Sequence, residues 1–119
     1  MISQHVINKK VEGLGIDIAD AERFYGMKKT NFFLRKVFTA RELEYCFSYR
    51  FPSSHLAGIF SAKEAVVKAS GGRLPVWRVE VRHSVEGGPK VFVDGKFKKN
   101  FLVSISHNKV NSCAIALKV

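Results

Sequence analysis

The amino-acid sequence predicts an α+β fold: an antiparallel or mixed sheet covered on one face by helices, with one long helix at its centre. Three observations carry this. Apolar and polar residues alternate with a period of two at 11–18, 76–83, 101–107 and 112–119. One long stretch, Ser53 to Ser70, is helical in pattern and stops at Gly71-Gly72. The order runs strand, helices, then strands joined by short turns, which favours antiparallel pairing.

At 119 residues the chain reads as one domain, 1–119, with 1–10 as a polar N-terminal extension. That length buries roughly two-thirds of the unfolded surface, so the fold needs no staples. Cys46 and Cys113 show no CxxC spacing and read as reduced thiols, which suits the cytoplasm. Residues 1–10 hold no apolar core of leader type, and no run nears the roughly 20 apolar residues of a membrane span. The outlier is charge: 20 Lys+Arg against 10 Asp+Glu gives +10. Such a surface attracts polyanions, whether nucleic acid, an acidic protein or a phosphate-rich small ligand.

The elements follow in order. Residues 11–18 (VEGLGIDI) form the first strand, with Leu14, Ile16 and Ile18 on one face and Gly13, Gly15 and Asp17 on the other. Two glycines on one face mean that a helix or another backbone packs close there. Asp17 is then a carboxylate at the end of a buried strand, wanting a cation, donors or a helix to cap; Asp20 is an equal candidate for the cap. Asp20 to Met27 and Asn31 to Val37 are short helical pieces. The latter mixes aromatic and basic residues that could stack bases, although Phe32, Phe33 and Phe38 suit a core. Thr39-Ala40-Arg41-Glu42 is a capping box opening a helix to about Phe47. Pro52-Ser53-Ser54 breaks the chain and caps the long helix. Residues 76–83 place Trp77, Val79 and Val81 on one face. Gly87-Gly88-Pro89 turns the chain into a strand at Lys90 to Val93, and Asp94-Gly95 turns it again. Phe101 to His107 points Phe101, Val103 and Ile105 inward. The last strand, Ser112 to Val119, points Cys113, Ile115 and Leu117 inward.

Four polar features sit where apolar residues would fold more cheaply: Asp17, Glu64 with Lys63 and Lys68, and His107. Taken singly, each has an ordinary structural reading: a cap, an intrahelical Glu64–Lys68 pair worth about 0.3–0.5 kcal/mol, a strand-end hydrogen bond. Taken together, two carboxylates without His or Cys suit Mg²⁺, which completes its octahedron with water and substrate phosphates. Lys63, Lys68 and His107 would neutralise a polyphosphate. No Walker loop, zinc spacing or Ser/His/Asp grouping appears.

Three segments carry a family resemblance: Gly13-Leu14-Gly15-Ile16-Asp17-Ile18 with Glu22-Arg23 downstream, Phe60-Ser61-Ala62-Lys63-Glu64-Ala65-Val66-Val67-Lys68-Ala69, and Val103-Ser104-Ile105-Ser106-His107. In this order and spacing they resemble the small, trimeric holo-acyl-carrier-protein synthase class of the 4′-phosphopantetheinyl transferases. The resemblance implies that class's fold, and Mg²⁺ held by Asp17 and Glu64. It implies coenzyme A held by Phe60, Lys63, Lys68 and His107, and catalysis by Glu64, Lys68 and Asp17. Phosphopantetheine would pass to a serine of apo acyl carrier protein, in the service of fatty acid biosynthesis, releasing adenosine 3′,5′-bisphosphate. Arg23, Lys28, Lys29 and Arg35 would meet the carrier's acidic helix, and the protein would be a homotrimer with no nucleic-acid or membrane partner. The chain departs from the family at Ile59, where Arg usually precedes the motif Phe, and in its short Gly71–Pro75 loop. Two alternatives stand beside this reading: a basic nucleic-acid-binding module, and a member that binds coenzyme A without turnover.

Overall fold

A computed structural model describes residues 10–86 and 88–119; the N-terminal extension, apart from Lys10, and Gly87 of the expected turn lie outside them. The chain order is β1 (Gly13–Asp20), a 3₁₀ turn (Ala21–Phe24), α1 (Phe32–Val37), α2 (Ala40–Phe47), α3 (Ser53–Ala69), a second 3₁₀ turn (Val76–Arg78), β2 (Val79–His83), β3 (Pro89–Val93), β4 (Lys96–Phe97), β5 (Phe101–His107) and β6 (Asn111–Lys118).

The strands form two antiparallel three-stranded sheets, β1-β6-β5 and β2-β3-β4, rather than the single sheet expected. The meander splits after β4, and β5 pairs with β6 instead. The α3 helix crosses the first sheet, meeting it through Ala65 and Ala69, and Leu56, Ile59, Ala62 and Val66 are buried along it as well. Burying an aliphatic side chain such as Leu56 or Ile59 contributes roughly 1.5–3 kcal/mol.

The helix comes unusually close. A Cβ added to Gly13 would lie 1.9 Å from the Ala69 carbonyl oxygen, and one added to Gly15 would lie 1.9 Å from that of Ala65. The glycine face of β1 is therefore the inner face, shared with buried Ala19. On β6 the same side carries buried Ser112, Ala114 and Ala116. This overturns the expectation for β6: Cys113, Ile115 and Leu117 lie on the opposite, outer face. Strand alternation names two faces without saying which is inside, and here the small residues are inside because only they let the helix backbone approach.

Local signals account for the element ends. The capping box is complete: Thr39 Oγ1 accepts from Glu42 N at 3.2 Å, and Glu42 Oε1 accepts from Thr39 N at 2.9 Å. Asn31 caps α1 by accepting from Leu34 N at 3.1 Å. Gly71 and Gly72, at φ 77° and 76°, end α3. Asp94 and Gly95, at φ 52° and 79°, turn β3 into β4. Two expectations fail. Pro52 takes the N-cap position of α3 without any side-chain cap, and Asp20 makes no cap bond at the first 3₁₀ turn. Residues 76–78 coil into 3₁₀, which leaves Trp77 58% exposed.

Candidate active site

The inner face of β1 brings Asp17 against α3. Because Gly13 and Gly15 admit the helix, the Lys68 ammonium reaches back across the strand. It donates to Asp17 Oδ1 at 3.1 Å and to the Ile16 carbonyl at 2.9 Å. Lys68 thus pairs with the distant Asp17, leaving Glu64 half-buried one turn earlier on α3. Burial, and then the negative charge of Asp17, push the Glu64 carboxyl above the usual glutamate range; Lys68, Arg23 and Lys63 oppose that rise.

Two repelling carboxylates of this kind are a donor set for a hard dication. Among the described residues no group of three His, Cys, Asp or Glu could hold a metal. A Mg²⁺ ion fits because it takes one or two carboxylates and leaves its other positions to water and substrate oxygens. Lys68 supplies a cation at the same spot.

Phe60 forms an aromatic floor beside Glu64, its ring centroid 5.8 Å from Phe24, 6.2 Å from Phe33 and 6.3 Å from Phe38. The Arg23 guanidinium lies over that floor, 4.8 Å from the Phe60 centroid. Arg23 also bears electrostatically on Glu64, so it belongs to the site's rim. Lys28, Lys29 and Arg35 are exposed on and before α1. Of the residues read as base-stacking candidates, Phe38 is buried and Phe33 half-buried; Phe32 is 82% exposed.

One expectation needs correcting. Lys63 faces away from this surface: it is wholly buried, with Nζ 2.7 Å from Glu42 Oε1 and 2.6 Å from the Val37 carbonyl. A phosphate cannot reach an ammonium at zero exposure. His107 is exposed but distant from the carboxylates within one chain. Its ring lies 6.0 Å from that of His55, and α3 rises about 14 Å from His55 to Glu64 at ~1.5 Å per residue.

His107 joins a second group that sequence reasoning missed. Tyr45 stacks on His83 at 4.4 Å, and Tyr49 stacks on His55 at 3.6 Å. Burial, then the His107 and His83 charges, lower the His55 pKa; burial lowers that of His83. Buried Ile59 flanks this group. Next to it opens a cavity of about 790 Å³ lined by Tyr25, Tyr49, Arg50, Phe51, His55 and Lys109. Tyr45 and Tyr49 are four apart and their rings meet at 5.5 Å, but His55, His83 and His107 come from three different elements that no spacing rule joins. Both Cys46 and Cys113 are free; burial, then Glu42, push the Cys46 thiol up to about 12.

The family profile described as the 4′-phosphopantetheinyl transferase superfamily matches residues 13–118. A holo-(acyl-carrier-protein) synthase of Thermodesulfovibrio yellowstonii is 43% identical over 103 residues, covering 83% of this chain and 90% of that protein. Its counterpart in Caldicellulosiruptor saccharolyticus is 39% identical, covering 89% and 93%. A crystal structure of the Bacillus anthracis holo-(acyl-carrier-protein) synthase, in complex with CoA (3′,5′-ADP), superposes with a TM-score of 0.75 at 27% identity, covering 91% of this chain and 96% of that one.

Proposed function

The chain belongs to the 4′-phosphopantetheinyl transferase superfamily, and on that premise we propose how its residues carry out the reaction. It is a holo-acyl-carrier-protein synthase, moving 4′-phosphopantetheine from coenzyme A to a serine of an apo acyl carrier protein. The observation that supports our assignment of roles is the convergence of Asp17, Glu64 and Lys68 on one surface.

The serine oxygen forms a bond to the β-phosphorus of coenzyme A. The bond from that phosphorus to the bridging oxygen breaks, and its electron pair leaves with adenosine 3′,5′-bisphosphate. Glu64 takes the serine proton; its raised pKa makes it a better base near neutral pH than an ordinary glutamate. Lys68 exchanges Asp17 for the anionic oxygens of the pyrophosphate and stabilises charge as it develops there. Asp17 and Glu64 are the residues that would hold Mg²⁺, which when bound neutralises pyrophosphate charge and polarises the bond to be broken. The Arg50 and Lys109 cavity suits the nucleotide end, and His107 lines a smaller pocket that shares His55 with it. Arg23, Lys28, Lys29 and Arg35 give the acidic carrier a basic rim. A cytoplasmic location goes with the two free thiols, and among the described residues no helix is long and apolar enough to cross a membrane.

The test is mass spectrometry of apo carrier protein incubated with coenzyme A and Mg²⁺. Wild type adds the phosphopantetheine mass, whereas Glu64→Gln adds none while keeping its fold. Full activity in that variant sinks the role given to Glu64.

A homotrimer is part of the proposal. The outer face of β1-β6-β5 leaves Leu14, Ile16 and Ile18 61%, 59% and 65% exposed, alongside Ile115 at 43% and Leu102 at 37%. An apolar sheet face of this kind marks an interface. Covering it with copies of the same chain would bring a second subunit's surface toward the site. In light scattering, wild type is expected at three times the chain mass and Ile16→Arg at one; a monomeric wild type would refute it.

A further inference from the structure

We propose that Lys63 and Glu42 act as a positioning pair, which sets the rotation of α3 and so aims Glu64 at Asp17. This rests on the transfer reaction described above. Lys63 and Glu64 are consecutive on α3 and point to different faces: one wholly buried, the other bordering the reaction surface.

Each end of the pair is tied to a separate element. The Lys63 ammonium donates to Val37 O at 2.6 Å, closing the C-terminus of α1, and to Glu42 Oε1 at 2.7 Å on α2. It also lies 5.5 Å from the Phe38 ring centroid. Glu42 is filled on both oxygens, since Oε1 also accepts from Thr39 N at 2.9 Å and Oε2 accepts from Val81 N of β2 at 2.7 Å. Thr39 Oγ1 in turn donates to Glu80 Oε2, and Arg82 Nε donates to Glu80 Oε1. One helix is thereby indexed against α1, α2 and the second sheet at a single residue. Among the described residues no buried side-chain polar atom lacks a partner.

A buried ion pair is a poor device for stability but a good one for register, because the charges tolerate only one arrangement. Side chains stand about 5–6 Å from a helix axis, so a 10° rotation of α3 would move the Glu64 carboxylate by about 1 Å. Misplacement on that scale can lower turnover by about 10²-fold.

Steady-state kinetics of Lys63→Met, Glu42→Gln and the double variant, with coenzyme A affinity from calorimetry, test this. The pair predicts that kcat falls at least tenfold in Lys63→Met while KM and affinity for coenzyme A change less than threefold. Adding Glu42→Gln to Lys63→Met should then cost little further, because both substitutions remove one device. A coenzyme A affinity lowered tenfold or more would make Lys63 a ligand and overturn the proposal. Unchanged kcat, or additive effects of the two substitutions, would do the same, and so would loss of fold in all three variants. An inactive wild type would instead remove the transfer reading on which the proposal stands.

Discussion

Two lysines five positions apart on α3 meet carboxylates in opposite ways. Lys63 and Glu42 pair at 2.7 Å with both side chains at zero exposure, whereas Lys68 and Asp17 pair at 3.1 Å with the lysine side chain 53% exposed. Burial decides what each pair can do. Separating the inner pair would leave a charge in a low-dielectric interior, so its partners are permanent. In the outer pair, water can replace either partner, so Lys68 is free to trade Asp17 for an incoming anion at little cost. The same chemistry is sealed in one place and open to exchange in the other, as the role proposed for Lys68 requires.

That contrast can be broken at three points. The largest effect is expected from Lys63→Ala, which strands the buried Glu42. It should cost about 3–5 kcal/mol in denaturant unfolding, and a loss below 1 kcal/mol would show that the pair is not confined. Next comes Lys68→Ala. Its stability should stay within about 1 kcal/mol of wild type, while turnover drops by about 10²-fold, as for removal of a group that stabilises developing charge. Retained activity would make Lys68 a surface pair and nothing more.

The smallest effect is a pH dependence. Glu64 has a folded-state pKa above its ordinary value, so its ionised form opposes folding at neutral pH. That penalty is relieved as pH falls through the raised pKa and vanishes once pH is well below the unfolded value. In metal-free buffer, Glu64→Gln should therefore be slightly more stable than wild type at pH 7, and the difference should shrink on acidification. Melting curves of the two proteins across that range check the sign. A variant less stable than wild type at pH 7 would mean that Glu64 is a structural group.

The outer face of the first sheet sharpens the same lesson. Leu14, Ile16, Ile18 and Ile115 obey strand alternation as well as any core residue, yet they face outward. Alternation is blind to which side a helix will occupy. The informative residues were Gly13 and Gly15, since the close contacts of their missing Cβ atoms with Ala69 and Ala65 fix the side on which α3 lies.

The sequence by itself determined the three α-helices and the strands other than β4, the capping box at Thr39 and Glu42, the stop at Gly71-Gly72, the turn at Asp94-Gly95, and the motifs that resemble a phosphopantetheinyl transferase. These are local: backbone dihedrals, caps and spacing are settled within a few residues. It also marked Asp17, Glu64 and Lys68 as out of place in apolar surroundings. Only the tertiary structure decided that Lys68 turns to Asp17, that Lys63 is sealed against Glu42, and that His107 lies with His55 at the far end of α3. Adjacent helix positions differ by about 100° in direction. Which of them meets water depends on what packs against each face, and those partners lie 21 and 51 residues away in the chain.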